Sequence, residues 1–178
     1  MHCPSEEHMD AVVRILRYLK SAPGRGLLFS KNNHLEVEGY IDADWAISIS
    51  DRKSMSGCFT FIGGNLVTWR SKKQNVVALL STEAEFRGMA KGLCELLWLR
   101  RLFSKIGFGL KPRMNLYYNN KAAIEISHNP VQHDRTKHIK VARHFIKQNL
   151  ERVINFPFVR SENQLTDIIA KAVSSKNF

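Results

Sequence analysis

Hydrophobic positions along the chain follow two periods, and the order in which they alternate predicts the architecture. The first is helical. Met9, Val12, Val13, Leu16 and Leu19 recur every three or four residues behind Pro4-Ser5-Glu6-Glu7, where Ser5 is an N-cap candidate and two acids favour the positive end of the helix dipole. Pro23-Gly24 ends this amphipathic helix. From Leu35 the period falls to two, with Leu35, Val37, Gly39 and Ile41 on one face and Glu36, Glu38, Tyr40 and Asp42 on the other, which predicts a strand ending in acids. Gly57 to Ile62 and Leu66 to Arg70 are β-rich and flank Gly63-Gly64-Asn65, a hairpin signal, so three antiparallel strands are expected in succession.

A long helix is predicted from Thr82 toward Ile106, with Phe86, Met89, Leu93, Leu97 and the region of Trp98 as its apolar face and Gly107 as its stop. Met114, Leu116 and Tyr118 then alternate with Asn115, Tyr117 and Asn119 in a fourth strand, after which Asn120 caps a short helix running to Ile126. A loop rich in His, Asn and Pro follows. Val141 to Leu150 reads as a helix, Ile154 to Val159 as a fifth strand, and Gln164 to Ala172 as a last helix, with Ser161 and Gln164 spaced as a capping box. No internal repeat or low-complexity linker interrupts the series.

Composition narrows the function. The 178 residues, 44% apolar and 24% charged, suit one substantial core and exclude disorder as the main state. The 27 Lys and Arg against 16 Asp and Glu leave +11, spread along the chain, which points to a polyanionic partner. Cys3, Cys58 and Cys94 are odd in number and far apart, so neither a disulfide framework nor a structural zinc site is expected, and a reducing compartment follows. The longest apolar stretches, near Asn75 to Leu80 and Leu96 to Leu99, fall far short of the roughly 20 residues of a membrane span, and the acidic start is unlike a signal peptide. No membrane partner is expected. Arg14, Arg17 and Lys20, one turn apart on the first helix, read either as a row that grips phosphates or as a solvated face.

Acids are scarce in so basic a chain, and their positions are informative. Asp42 and Asp44 end the first strand, Glu83 and Glu85 open the long helix, and Asp167 sits in the last helix. Strand ends and helix starts can bring carboxylates together around hard divalent cations, which take oxygen ligands and support in-line phosphoryl displacement. Each acid also has a structural reading. Glu85 stands three residues after Thr82 and could complete a capping box, Glu83 could serve the helix dipole, Asp42 and Asp44 could form a turn, and Asp167 could face solvent. Residue chemistry alone leaves both readings open.

Asp42-Ala43-Asp44-Trp45-Ala46, Asp51-Arg52-Lys53-Ser54, Ser56-Gly57, Trp69-Arg70-Ser71-Lys72-Lys73-Gln74, Ser81-Thr82-Glu83-Ala84-Glu85-Phe86, Asn129-Pro130, His133, Arg135-Thr136-Lys137-His138-Ile139 and Gln164-Leu165-Thr166-Asp167 together resemble the ribonuclease H domain of copia-type LTR retrotransposon Pol polyproteins, in their plant form. The match is ordered and nearly end to end. Arg14-Ile15-Leu16-Arg17-Tyr18-Leu19-Lys20 resembles the segment that joins the reverse transcriptase to this domain, so residues 1–30 are expected to be a helical junction segment and 31–178 the ribonuclease H-like domain. Met1 is then expected to be an internal methionine of a longer ancestral frame.

The resemblance implies an α/β ribonuclease H-like fold: a five-stranded mixed sheet, its first three strands antiparallel, flanked by helices. It also implies hydrolysis of the RNA strand of an RNA–DNA hybrid with two Mg²⁺ ions, Mn²⁺ being a substitute, held by four acids. Asp42, Glu85 and Asp167 match the first, second and fourth, and Asn119 stands in the place of the third, in Leu116-Tyr117-Tyr118-Asn119-Asn120. An amide offers an oxygen but no charge, so a weak or inactive copy is expected, the alternative being a non-catalytic nucleic-acid-binding remnant. Leu79-Leu80, Ile47, Lys140 and Ala142 depart from the family pattern as well. His138 matches the place of a loop histidine in related folds that assists proton transfer or product release. Arg70, Lys72, Lys73, Arg135 and Lys137 are the candidate nucleic-acid contacts, beside the aromatic ring of Trp69. The implied partners are the hybrid and, ancestrally, the reverse transcriptase, with the cytoplasm as the expected compartment and the nucleus as its alternative.

Overall fold

The computed structural model describes residues 3, 5–21, 23–24, 26–46, 51–110, 113–128, 137–150 and 152–170, the side chains of 137–139 excepted. Helix α1 (Glu6–Ser21) precedes β1 (Val37–Asp44), β2 (Met55–Ile62) and β3 (Asn65–Lys73). Then come α2 (Ser81–Lys105), β4 (Met114–Tyr117), α3 (Lys121–His128), α4 (Lys137–Leu150), β5 (Ile154–Asn155) and α5 (Asp167–Ala170). The five strands form one sheet in the order β3-β2-β1-β4-β5. β1, β2 and β3 pair antiparallel, whereas β4 pairs parallel to both β1 and β5. This is the mixed sheet with three leading antiparallel strands that the sequence implies.

The turn between β2 and β3 shows why these strands pair as they do. Ile62 lies opposite Asn65, so Gly63 and Gly64 form a two-residue loop, and both have positive φ, 55° and 77°. That backbone matches the right-handed twist of the strands it joins. The Asn65 side chain then fixes the chain leading into β1, its Oδ1 accepting from the Ser30 N–H at 2.7 Å and its Nδ2 donating to the Ser30 carbonyl at 2.9 Å.

The sheet's two faces have different covers. Val37, Gly39, Ile41 and Ala43 are buried beneath α2, where a Cβ on Gly92 would sit 2.6 Å from Ile41 Cδ1. The α2 face that packs there carries Phe86, Met89, Leu93, Leu96 and Leu99, while Trp98 is 53% exposed. The stripe thus runs through Leu96 and Leu99, with Leu97 at its margin, and leaves Trp98 in solvent. α2 stops at Gly107 (φ 84°), whose N–H donates to the Ser104 carbonyl while the Phe108 N–H reaches Phe103 O, and the two Phe rings meet edge-on at 6.1 Å. Asn120 caps α3 as expected, its Oδ1 accepting from the Ala123 N–H at 3.0 Å.

Four expectations change. The fifth strand contracts to Ile154–Asn155 and one isolated bridge between Tyr118 and Phe158, because Pro157 lies between them and has no N–H to donate. The last helix begins at Asp167, not Gln164, and residues 171–172 lie outside the described residues. Ser161 and Gln164 form no side-chain capping box. The Gln164 side chain turns inward and donates to the Ile41 carbonyl at 2.9 Å, leaving a short 3₁₀ turn at Ser161–Asn163. α4 also starts earlier than predicted, at Lys137. No residue of α1 is buried, although its apolar residues fall on one stripe as read. No described helix is long and apolar enough to cross a membrane.

Candidate active site and nucleic-acid surface

The sheet register assembles the candidate site. β1 and β4 run parallel with Tyr40 beside Tyr117, and their rings stack at 4.7 Å. The pairing ends at Tyr40 and Tyr117, and Asp42 and Asn119 each stand two residues beyond that pair, at the end of the sheet toward which β1 and β4 both run. Across from Asp42 on the other side lies Gly57, where a Cβ would meet Thr166 O and Ala170 Cβ at 3.2 Å. The lack of a side chain at Gly57 is what lets the turn into α5 approach the sheet. Gln164 holds that turn to β1 beyond the last β1–β4 pair, so Asp167 starts its helix on the sheet face that carries Asp42. Asp42 is 7% exposed.

Glu85 enters from α2. It caps nothing: the N-cap position is Leu80, and the carboxylate that reaches back is Glu83, which accepts from the Leu79 N–H at 3.0 Å and pairs with Arg87 at 2.9 Å. Glu83 therefore serves the helix. The Glu85 carboxylate instead accepts hydrogen bonds from the Tyr118 hydroxyl and from Asn120 Nδ2 at 3.2 Å, the two residues that flank Asn119. Burial pushes its carboxyl up to about 7, the Asn120 hydrogen bond opposes the rise, and the charges of Asp42 and Asp44 add to it. Asp44, placed outside the ligand set in the sequence reading, thus contributes its field. Tyr118 and Asn120 were missed as partners of Glu85. A signal existed, since Tyr118 falls on the inward face of β4 and a buried tyrosine hydroxyl needs a partner.

The oxygen-only chemistry of these side chains suits a hard divalent cation in kind. In number it falls short, because among the described residues no group of three or more His, Cys, Asp or Glu side chains is placed to hold a metal ion. Asn119, which the family resemblance sets in the place of a third acid, carries an amide.

The candidate nucleic-acid residues do not form one patch. In β3, Trp69 and Lys73 pair with Phe59 and Met55 and lie on the face of Asp42 and α5, where the intervening Ser71 hydroxyl donates to the Ile169 carbonyl at 2.6 Å. Arg70 and Lys72 alternate to the α2 face. Lys73 pairs with Asp51 at 3.3 Å, and Arg70 with Glu95 at 3.8 Å. Lys137 and His138 open α4, so His138 belongs to a helix and not to the predicted loop, its side chain lying outside the described residues. Arg135 lies outside them altogether.

A five-stranded mixed sheet of this order, flanked by helices, is the ribonuclease H-like fold. The solved structure of LC11-RNase H1 in complex with RNA/DNA hybrid superposes with a TM-score of 0.55 at 14% identity, covering 75% of this chain and 93% of that one. No protein-family model matches the chain. Over its whole length it is 37% identical to the retrovirus-related Pol polyprotein from transposon RE1 of Arabidopsis thaliana, of which it spans 12%. Over 98% of its length it is 36% identical to that from transposon TNT 1-94 of Nicotiana tabacum, of which it spans 13%. The chain is thus homologous, over its whole length, to a stretch of retrovirus-related Pol polyproteins, and its fold is that of ribonuclease H.

Proposed function

We propose that this domain recognises RNA–DNA hybrids and carries a phosphodiester-hydrolysing site that is one carboxylate short. The observation that carries the reading is the setting of Glu85: a carboxyl pushed up to about 7 by burial and by Asp42 and Asp44, held by the residues on either side of Asn119. A crowd of partly buried acids in a basic protein is costly without a cation, and such crowding is how sites for charged chemistry are recognised. Asp42, Glu85 and Asp167 would hold Mg²⁺ together with the Asn119 amide oxygen, and the metal would supply positive charge at the scissile phosphate. Asp42 and Asp167 bring ligands from the face that Lys73 and Trp69 share, so the hybrid backbone is read there, the cation meeting phosphate and the indole a sugar or base edge. Arg135, Lys137 and His138 belong to the proposed contact set through the family resemblance. Arg70 and Lys72 point away from it.

The alternative, a non-catalytic binding remnant, is favoured by the incomplete ligand group. One assay separates the two. A labelled hybrid incubated with the protein in Mg²⁺ and in Mn²⁺ is expected to be bound and left almost uncut, with more nicking in Mn²⁺. Rapid cleavage in Mg²⁺ would show that the missing charge is dispensable, and absence of hybrid binding would remove both readings.

A further inference from the structure

On the sheet face away from Asp42, a cavity of about 610 Å³ opens between β2, β3, α2 and α4. That size is in the range of small-molecule sites. Its floor is apolar, formed by Ile41, Ala90 and Phe145 among others, and its rim carries the exposed Val76 and Val141 with Arg70, Lys72, Arg87 and Lys91. Two of those cations are already matched, Arg70 by Glu95 and Arg87 by Glu83. Lys72 and Lys91 make no ion pair among the described residues. Burial, followed by the charges of Lys72, Arg87 and Arg70, pulls the Lys91 ammonium below its ordinary value, as expected where cations gather without a counter-anion.

A third feature narrows the ligand. Gln74 lines the cavity and is 2% exposed, its amide nitrogen donating to Ser56 Oγ at 2.9 Å and to the Ala84 carbonyl at 3.0 Å. Those two bonds fix which end of the amide is oxygen. The oxygen, Gln74 Oε1, has no hydrogen-bond partner. A buried acceptor left so is costly; the oxygen is closed over in this structure, so a ligand's donor relieves the cost by drawing the side chain toward the cavity. An apolar floor with one aromatic ring, two uncompensated ammonium groups and an unmet acceptor ask for a flat body, an anionic head and a donor on one molecule. We propose that this cavity is a nucleotide site, taking the base against Phe145 and the 5′-phosphate at Lys72 and Lys91. It is separate from the hybrid-reading face and does not rest on it.

Titration calorimetry of the full chain tests this with adenosine 5′-monophosphate, inorganic phosphate and laurate as probes. The nucleotide is expected to bind one per chain, at least tenfold more tightly than phosphate, which lacks the body, and than laurate, which lacks the donor. Lys91→Gln, and Val141→Trp at the exposed rim, should each weaken it at least tenfold, whereas Lys105→Gln at the far end of α2 should not. Both altered positions are at the surface, and retention of the unaltered protein's circular dichroism confirms their fold. Competition by a 5′-phosphorylated oligonucleotide would mean that the site takes the end of a strand, and its absence that it takes the free nucleotide. No saturable nucleotide binding, equal binding by laurate, or indifference to both Lys91→Gln and Val141→Trp would overturn the proposal.

Discussion

At Glu85, burial and two neighbouring carboxylates act in one direction, and the result is measurable as stability. The ordinary carboxyl value of 4.5 rises to about 7 in the folded chain, so between those values the native state holds more proton than the unfolded state. The stability that protonated Glu85 contributes is fully present below pH 4.5 and is lost as pH rises through 7. At ~1.4 kcal/mol per unit, urea denaturation should show a decline of about 1–3 kcal/mol from pH 5 to pH 8, reduced to near zero in Glu85→Gln. An unchanged slope in Glu85→Gln would assign the titration to another group. The sequence offered Glu85 two roles, helix cap or site acid, and spacing could not choose between them, because a capping box and a carboxylate aimed at a strand end look alike in one dimension. The choice was made by Tyr118 and Asn120, which lie 33 and 35 residues further on.

Among the elements, those with a long regular period were legible and those held by single side chains were not. β1 to β3, α2 and α4 carry enough periodic residues to declare themselves. The extent of β5 was not visible, since Ile154 to Val159 keeps a strand-like composition while Pro157 breaks the ladder. Nor was the role of Gln164, whose spacing from Ser161 imitates a cap while its amide is committed to β1. Glycines at the turns give the element-scale test. Gly107 has φ 84° and open space around it, so Gly107→Ala should cost about 1–2 kcal/mol, the strain of a left-handed residue alone. Gly63 has φ 55°, and an added Cβ would lie 2.5 Å from the backbone oxygen of His34, which cannot swing aside. Gly63→Ala should therefore lower the thermal midpoint distinctly more than Gly107→Ala, and a smaller loss would mean that the β2–β3 turn does not hold the His34 segment in solution.

For the whole molecule, the balance of +11 means that the proposed hybrid binding should be largely counterion release. If the hybrid covers six to ten phosphates, binding should weaken by about 10³–10⁵ between 50 and 200 mM salt. Sheet alternation adds a finer expectation. Lys73 shares the face of Asp42, so Lys73→Gln should reduce the salt slope by about one charge. Lys72→Gln, on the α2 face, should leave hybrid binding nearly as it was, and the reverse order would place the hybrid on the other side of the sheet. Net charge pointed to a polyanion but could not resolve the two faces, which only the strand register separates. The central claim, a hydrolytic site disabled by one missing charge, is tested most directly by hydrolysis of a labelled hybrid in Mg²⁺ by Asn119→Asp beside the unaltered chain. A metal ligand restored is worth several kcal/mol at the transition state, so turnover should rise by ~10² to 10⁴, and Asp42→Asn added to Asn119→Asp should abolish the gain. A folded Asn119→Asp that binds hybrid but stays inert, or an unaltered chain that already cleaves as fast, would contradict it.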